Sequence, residues 1–275
     1  MHPQAAIRVG TSAFTAAGWP GSFYPEDLKP AEYLSYYAQH FDTVEVDSTF
    51  YRVPSASTVR GWYAKTPERF LFAAKVPQEI THEKVLVECD GEFKKFLATM
   101  DILGEKLGPL LFQFPYFNRQ AFGGVNDFLA RLVPFLKKLP KGYRFAVEVR
   151  NKHWLVPNLL ERLRERGIAL ALVDHSWMPR PSELLERCDP ITADFTFIRW
   201  LGDRKGIEEQ TKTWDKTIID RRSSLEEWVE ACRKFNQRSI AIFAYANNHY
   251  AGHAPATVRL FWQLWRKKLS GVAGM

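Results

Sequence analysis

The sequence predicts an α/β fold, a single (β/α)8 barrel of the TIM type with parallel strands, covering residues 1–275 as one domain. Three observations predict it. Eight short β-rich runs alternate with longer helical patterns from one end to the other, which implies right-handed crossovers and a parallel sheet. The segment after the first run, "VGTSAFTAAGWPG", lacks the G-x-G-x-x-G turn that an open doubly wound sheet normally carries. No Ser/Gly-rich linker divides the chain, and no repeat is visible beyond the strand-helix rhythm.

In chain order the strands are expected at "IRVGTS" (7–12), "TVEVDST" (43–49), "RFLFAAKVP" (69–77) and "GPLLFQFP" (108–115). They continue at "YRFAVEVR" (143–150), "IALALVDH" (168–175), "TFIRWLG" (196–202) and "SIAIFAYANN" (239–248). Between them, apolar residues recur at helical spacing, as in Phe93, Phe96, Leu97, Met100 and Leu103, or Leu159, Leu160 and Leu163. A last helix is expected around Thr257 to Leu269. The segment 203–224 after the seventh strand is long for a βα connection and reads as a lid over a site.

With 46% hydrophobic and 25% charged residues, the chain can bury a large core. No apolar run is long enough to span a bilayer, and "MHPQAAIRVG" lacks the regions of a secretory signal. Cys89, Cys188 and Cys232 are far apart and suggest neither a disulfide framework nor a zinc ribbon, so a cytoplasmic location without membrane partners is expected. The net charge of +7 invites a nucleic-acid reading. Much of the excess, however, lies in helical segments such as "LLERLRERG" and "LWRKKL", where it falls on a solvated face.

Parity along the strands locates the candidate site. Side chains of a barrel strand alternate between interior and helix layer. Val44 and Val46 belong against helices, which turns Glu45 and Asp47 inward. The same reasoning puts Lys75, Gln113, Glu148, Arg150, Asp174, Arg199, Tyr245 and Asn247 on the interior, near the strands' carboxyl ends where barrel active sites form. Any one of these has a structural alternative, such as an internal Glu148–Arg150 ion pair or a cap by Asp174. The convergence of polar or ionisable groups of mixed sign from seven strands is the functional signal.

Loops at this mouth add Trp19, Phe23, Tyr24, Phe50, Tyr51, Trp154 and Trp177, suited to stacking on sugar rings or bases or else to sealing the barrel. His82, His153, His175, His249 and His253 also follow strand ends, so a metal ion is an alternative to the expectation of no cofactor. Three nearby cations oppose it. A nucleophile elbow, a P-loop and a Cys-His pair are absent from the sequence, which favours acid-base or electrostatic chemistry over covalent chemistry.

The motifs resemble the YecE-like family, domain of unknown function 72. "VGTS" followed by "GWPGSFYP", then "VEVDSTFY", "FLFAAKVPQEITH", "LLFQFP", "EVRNKHW", "FIRWLG" and "FAYANN" occur in that family's order over nearly the whole chain. The resemblance implies a TIM-type barrel and no established reaction. Its polar motif positions fall on Glu45, Lys75, Gln113, Glu148, Arg150, Arg199, Asn247 and Asn248. Asp47 stands where asparagine is usual, His153 where serine is, Leu201 where histidine is frequent, and Ala246 where phenylalanine is. The extra acid bears on ligand charge, and the Leu201 position cannot supply an imidazole.

The leading expectation is an enzyme, a hydrolase, lyase or isomerase acting on a phosphorylated or carbohydrate-like molecule. In it Glu45 and Glu148 exchange protons, Lys75, Arg150 and Arg199 hold anionic groups, and Gln113, Tyr245 and Asn247 orient the substrate, with Asp47, Tyr51, Trp154, Asp174 and Asn248 completing the pocket. The alternatives are a nucleic-acid-binding barrel or nuclease using Arg204, Lys205, Lys212, Lys216, Arg221 and Arg222, or a metabolite sensor without catalysis. The oligomeric state is left open.

Overall fold

A computed structural model describes residues 6–272, with side chains to 267; residues 1–5 and 273–275, the ends of the expected domain, lie outside the described residues. Eight parallel strands form one sheet in the order β1-β8-β7-β6-β5-β4-β3-β2. They are β1 (Ile7–Thr11), β2 (Thr43–Val46), β3 (Leu71–Lys75), β4 (Leu107–Gln113), β5 (Phe145–Glu148), β6 (Ala169–Asp174), β7 (Phe195–Trp200) and β8 (Ala241–Ala246). All eight expected strands are present, and the sheet rolls into a nearly closed (β/α)8 barrel. The helices are α1 (Tyr33–His40), α2 (Ala56–Ala64), α3 (Asp90–Met100), α4 (Val125–Lys138), α5 (Pro157–Arg164), α6 (Pro181–Arg187), α7 (Arg204–Glu208), α8 (Arg222–Gln237), α9 (Asn248–Ala251) and α10 (Ala254–Val272). The short α7 and α9 interrupt the simple alternation at the mouth. No helix among the described residues is long and apolar enough to cross a membrane.

The seam between β1 and β2 is closed by side chains. The Tyr37 hydroxyl accepts from Thr11 N at 2.9 Å and donates to Thr43 O at 3.1 Å, bridging the two strands where ladder bonds would run. Arg8 and Asp42 add an ion pair at 3.1 Å. Gly10 permits this approach, because a Cβ there would lie 2.1 Å from Thr43 O.

The barrel is filled by complementary sizes. Ala73, Ala146, Ala169 and Ala171 on β3, β5 and β6, with the larger Leu111 of β4 among them, pack with Phe195, Phe197, Phe243 and Tyr245 on β7 and β8, so the aromatic bulk comes from one side of the barrel. Outward residues such as Val44, Phe72, Leu110, Leu170 and Ile198 join the larger helix-packed core. Phe93, Phe96 and Met100 bury the inner face of α3, and Leu159, Leu160 and Leu163 that of α5, at the spacing the sequence shows.

Two expectations change. Strand β2 ends at Val46, and Asp47–Phe50 turns as a 3-10 helix instead of extending the strand to 49. On β6, Val173 pairs with the inward Arg199 and Asp174 with the outward Trp200. Asp174 therefore faces the helix layer, where its Oδ2 accepts from Trp228 Nε1 and Tyr250 Oη, both at 2.8 Å. The expected inward placement of Asp174 is corrected. Both faces of "IALALV" are apolar, which left its phase undetermined by hydrophobicity.

Candidate active site

At the carboxyl ends of β2, β5 and β7, the buried Glu45, Glu148 and Arg199 form one ion cluster. Arg199 donates Nε to Glu45 Oε2 at 2.8 Å and Nη2 to Glu45 Oε1 at 2.6 Å, a two-pronged bond. Its Nη1 donates to Glu148 Oε2 at 3.0 Å. Glu148 Oε1 receives Arg150 Nε at 2.5 Å. Each oxygen of both glutamates is thus already accepting from a guanidinium.

Burial pushes the Glu45 carboxyl above its usual value, against the opposing pull of Arg199. Burial would raise Glu148 as well, but Arg150, Arg199 and Lys75 outweigh it and hold the group down at about 2. Burial tends to lower Arg199, yet Glu45, Glu148 and Asp47 raise it further above the ordinary arginine value. Arg199 remains a cation and Glu148 an anion across the neutral range.

Lys75 differs from these neighbours. Its amine lies 3.3 Å from Asp47 Oδ1 and 3.6 Å from the centre of the Phe50 ring. The Lys75 side chain is 8% exposed and that of Asp47 31%, so the carboxylate is the more open member. Local structure fixes the pair. Thr49 Oγ1 lies 2.8 Å from Val46 O and 2.7 Å from Lys75 O, and accepts from Lys75 N at 3.1 Å, clipping the turn after β2 to the end of β3. Burial and then Arg199 push the Lys75 amine below the ordinary lysine value, while Asp47, Glu148 and Glu45 oppose them. Asp47 Oδ1 is buried without a hydrogen-bond partner among the described residues, although the Lys75 amine is near and Arg199 Nη2 lies 3.6 Å away.

His82 and His175 border this cluster. Burial, Lys75 and Arg150 push His82 down to about 4, and burial and Arg150 also lower His175, which keeps both imidazoles neutral at pH 7. The acidic groups converge on Arg199, and no group of three or more His, Cys, Asp or Glu among the described residues is arranged to hold a metal.

Beside the cluster opens a cleft of about 740 Å³. Arg119, Arg150 and Lys152 line it together with Tyr116, Trp154 and Trp177, and no carboxylate does. Cleft and cluster meet at Arg150, which lines one and bonds Glu148 in the other. The walls are built from the loops after β4, β5 and β6. Asn151 clasps Phe117 through both main-chain groups, at 3.0 and 2.8 Å, and Trp154 stacks on Phe128 at 4.9 Å. Trp177 and Tyr116 stand at the rim, 67% and 62% exposed.

Other sequence-selected residues are spread over several tasks. Gln113 sits opposite Glu148 and donates to Phe114 O at 2.5 Å. Tyr245 is buried below the cluster with its hydroxyl 2.9 Å from Thr43 Oγ1. Asn247 Oδ1 accepts from His249 N at 2.9 Å at the start of α9, and Asn248 Oδ1 accepts from Trp19 Nε1 at 3.2 Å and Ala254 N at 2.9 Å. Tyr51 is exposed and packs edge-on against Phe50 outside the cleft. Trp19, Phe23 and Tyr24 are sealed in packing.

Sequence reasoning passed over Ser12, Arg119, Tyr116 and Lys152. Ser12 is buried with its hydroxyl unpartnered among the described residues, and the parity Gly10, Ser12 in "VGTS" was the available signal. The loop "PYFNRQ" after β4 offered only its composition.

A sequence profile described as "Protein of unknown function DUF72" matches residues 8–274. The chain belongs to the DUF72 family. Among curated relatives, the UPF0759 protein YecE of Escherichia coli K12 is 25% identical over 256 residues, covering 88% of this chain and 89% of that one. The UPF0759 protein YunF of Bacillus subtilis is 26% identical over 276 residues, covering 93% and 95%. A crystal structure of a Thermotoga maritima DUF72 protein is similar with a TM-score of 0.72 and 28% identity, over 96% of this chain and 99% of that one. An Enterococcus faecalis DUF72 structure, at 23% identity, shares the fold with a TM-score of 0.68, over 96% and 99%. None of these descriptions names an activity or substrate.

Proposed function

We propose that this DUF72 protein is an enzyme acting on a small ring-bearing anion, a sugar phosphate or nucleotide-like molecule, held in the cleft beside the ion cluster. The observation that carries the reading is the lining of that cleft, three basic side chains and several aromatic ones with no carboxylate. Such a surface attracts phosphate or carboxylate through Arg and Lys, and offers ring faces to a sugar or base. Arg150 places the bound anion next to the charged centre, because its guanidinium belongs to both.

The roles within the charged centre are reassigned on this reading. Glu45 and Glu148 serve to hold Arg199 and Arg150 in place, since their oxygens are engaged and Glu148 is held far below neutral pH. Proton transfer falls to Lys75 and Asp47, whose contact at 3.3 Å is longer than the cluster's hydrogen bonds and whose carboxylate side chain is partly open. A lyase or isomerase reaction suits a lysine base better than hydrolysis does. The segment 203–224 acts as cover; Trp214 N donates to Ala17 O at 2.9 Å and Ile218 N to Ala251 O at 2.7 Å, tying it across the mouth loops.

The test is a binding series followed by tryptophan fluorescence, with inorganic phosphate, glucose 6-phosphate and adenosine monophosphate. Ring-bearing phosphates should bind at least ten-fold tighter than phosphate alone, and Arg150→Gln should weaken all three, because the guanidinium holds the anion that they share. Equal affinities for all three would end this reading.

A further inference from the structure

The geometry points to Lys75 as a nucleophile that forms an imine with a carbonyl-bearing substrate, Asp47 carrying the proton between nitrogen and oxygen. This deepens the proposed function, on which it rests, by naming an aldehyde or ketone as the substrate's reacting group.

Three observations lead to it. First, the inward ionisable groups divide by how they are held, with Asp47 between the two sets because its Oδ1 lies 3.6 Å from Arg199 Nη2 as well. Arg199 makes three hydrogen bonds to two carboxylates, and both oxygens of Glu45 and of Glu148 are occupied. The Lys75 amine has a single carboxylate within ion-pair distance, Asp47 at 3.3 Å, and rests on the Phe50 ring. Little has to be broken to free it. Second, the amine and the Asp47 Oδ1 that faces it are closed off from water while the rest of the Asp47 side chain is partly open, so a reactant has to enter over the carboxylate. Third, the groups around Lys75 are of both signs: Arg199 with Asp47, Glu148 and Glu45 act on it, and Lys75 in turn acts on the neutral His82. A lysine desolvated beside another cation loses its proton more easily, and the neutral amine is the nucleophile.

The step balances without any further reagent. Asp47 takes one proton from the Lys75 ammonium, and the nitrogen lone pair bonds the carbonyl carbon while the C=O pair moves to oxygen. A proton passes from nitrogen to that oxygen, giving a carbinolamine. Asp47 returns its proton to the hydroxyl, the C–O bond breaks, and water leaves. The product is a protonated imine, with the starting ammonium's charge conserved. Such an imine withdraws electrons from the neighbouring carbon, which is the chemistry a lyase or isomerase needs.

The experiment is reductive trapping on the whole protein near pH 7.5 with limiting cyanoborohydride and either pyridoxal 5′-phosphate or glyoxylate, followed by peptide mass mapping. Lys75 should carry the label at least ten-fold above any exposed lysine, although it is among the least accessible. Asp47→Asn should slow labelling of Lys75 several-fold without slowing surface lysines. Lys75→Arg, which keeps the charge over Phe50, should reduce total labelling to the surface level. Label spread over exposed lysines with Lys75 unmodified by either probe would overturn the inference in the unaltered protein. Glyoxylate is small enough not to need the cleft, so the two readings fail separately. Trapping of Lys75 by glyoxylate alone supports the imine and removes the cleft. Pyridoxal phosphate binding, seen by fluorescence, without trapping by either probe keeps the cleft and removes the imine.

Discussion

The ion cluster and the cleft share one barrel mouth but use charge in opposite ways. In the cluster, Glu45, Glu148, Arg150 and Arg199 bond one another, with Arg199 fully enclosed. In the cleft, Arg119 and Lys152 line open space, with Arg150 reaching in from the cluster. An inward charge is therefore not automatically a ligand-binding charge. A guanidinium with its donors committed to buried carboxylates holds the barrel end together, whereas one facing a cavity has attraction to spare.

The largest test of this contrast is Arg199→Met. It leaves Glu45 and Glu148 buried without their main partner, and removing one member of a buried ion pair costs about 3–5 kcal/mol. Urea unfolding should show a loss of that size. A loss of about 0.5 kcal/mol or less, as at an ordinary surface site, would mean that the cluster is not structural.

The pH dependence of stability is the next largest effect. Glu148 is held at about 2, below its ordinary unfolded value near 4.5. Its contribution is therefore full above about pH 4.5 and is lost as pH falls toward 2, since the unfolded chain binds the proton more readily in that window. A shift of this size corresponds to stabilisation on the order of 3 kcal/mol. Glu45, pushed up by burial, acts in the opposite sense, so the measurement is the difference between Glu148→Gln and the unaltered protein. The variant's stability should fall less steeply with acid between pH 4.5 and 2. Parallel curves would place Glu148 outside this linkage.

The cleft predicts the reverse pattern, a binding defect without a stability defect. Trp177 is 67% exposed, and its place is set by Trp177 N bonding His175 Nδ1 at 3.3 Å. Trp177→Ala should leave the melting temperature nearly unchanged and weaken a ring-bearing phosphate by about 1–3 kcal/mol, the range for lost stacking. If titration shows a steep salt dependence and nucleic acid binds more tightly than the mononucleotide, the cleft reads a strand and the enzyme proposal gives way.

How much of this was legible in the sequence follows from what alternation encodes. Period-two patterning in "TVEVD" fixes the facing of Glu45 because the valines leave no choice, and the same logic recovered Lys75, Gln113, Glu148 and Arg199. "IALALVDH" has apolar residues on both faces, so it carried no phase, and Asp174 was turned the wrong way. Which inward charge meets which is a property of barrel closure. Arg199 lies 154 positions from Glu45, and only the rolled sheet brings them to 2.6 Å. The cleft was the least legible part, because Arg119 and Tyr116 sit in an irregular loop and Lys152 in a single 3-10 turn, Lys152–Trp154, too short for any periodicity to constrain direction.

Tyr51 gives the smallest expected effect and the finest discrimination. It is as exposed as Trp177, at 68%, and the sequence alone puts Tyr51 in the pocket and Trp177 only among the loop aromatics at the mouth. The structure separates them: Trp177 lines the cleft, while Tyr51 lies outside it, edge-on to Phe50 at a centroid distance of 5.1 Å, and Phe50 in turn carries the Lys75 amine. Tyr51→Ala should therefore change affinity for a ring-bearing phosphate by no more than about 0.5 kcal/mol, as for a surface substitution away from the binding groups. Comparing the two alanine variants by fluorescence-independent calorimetry orders the two faces directly. A larger loss at Tyr51 than at Trp177 would move the ring from the cleft to the Lys75 face, and would make the basic lining of the cleft a bystander to recognition.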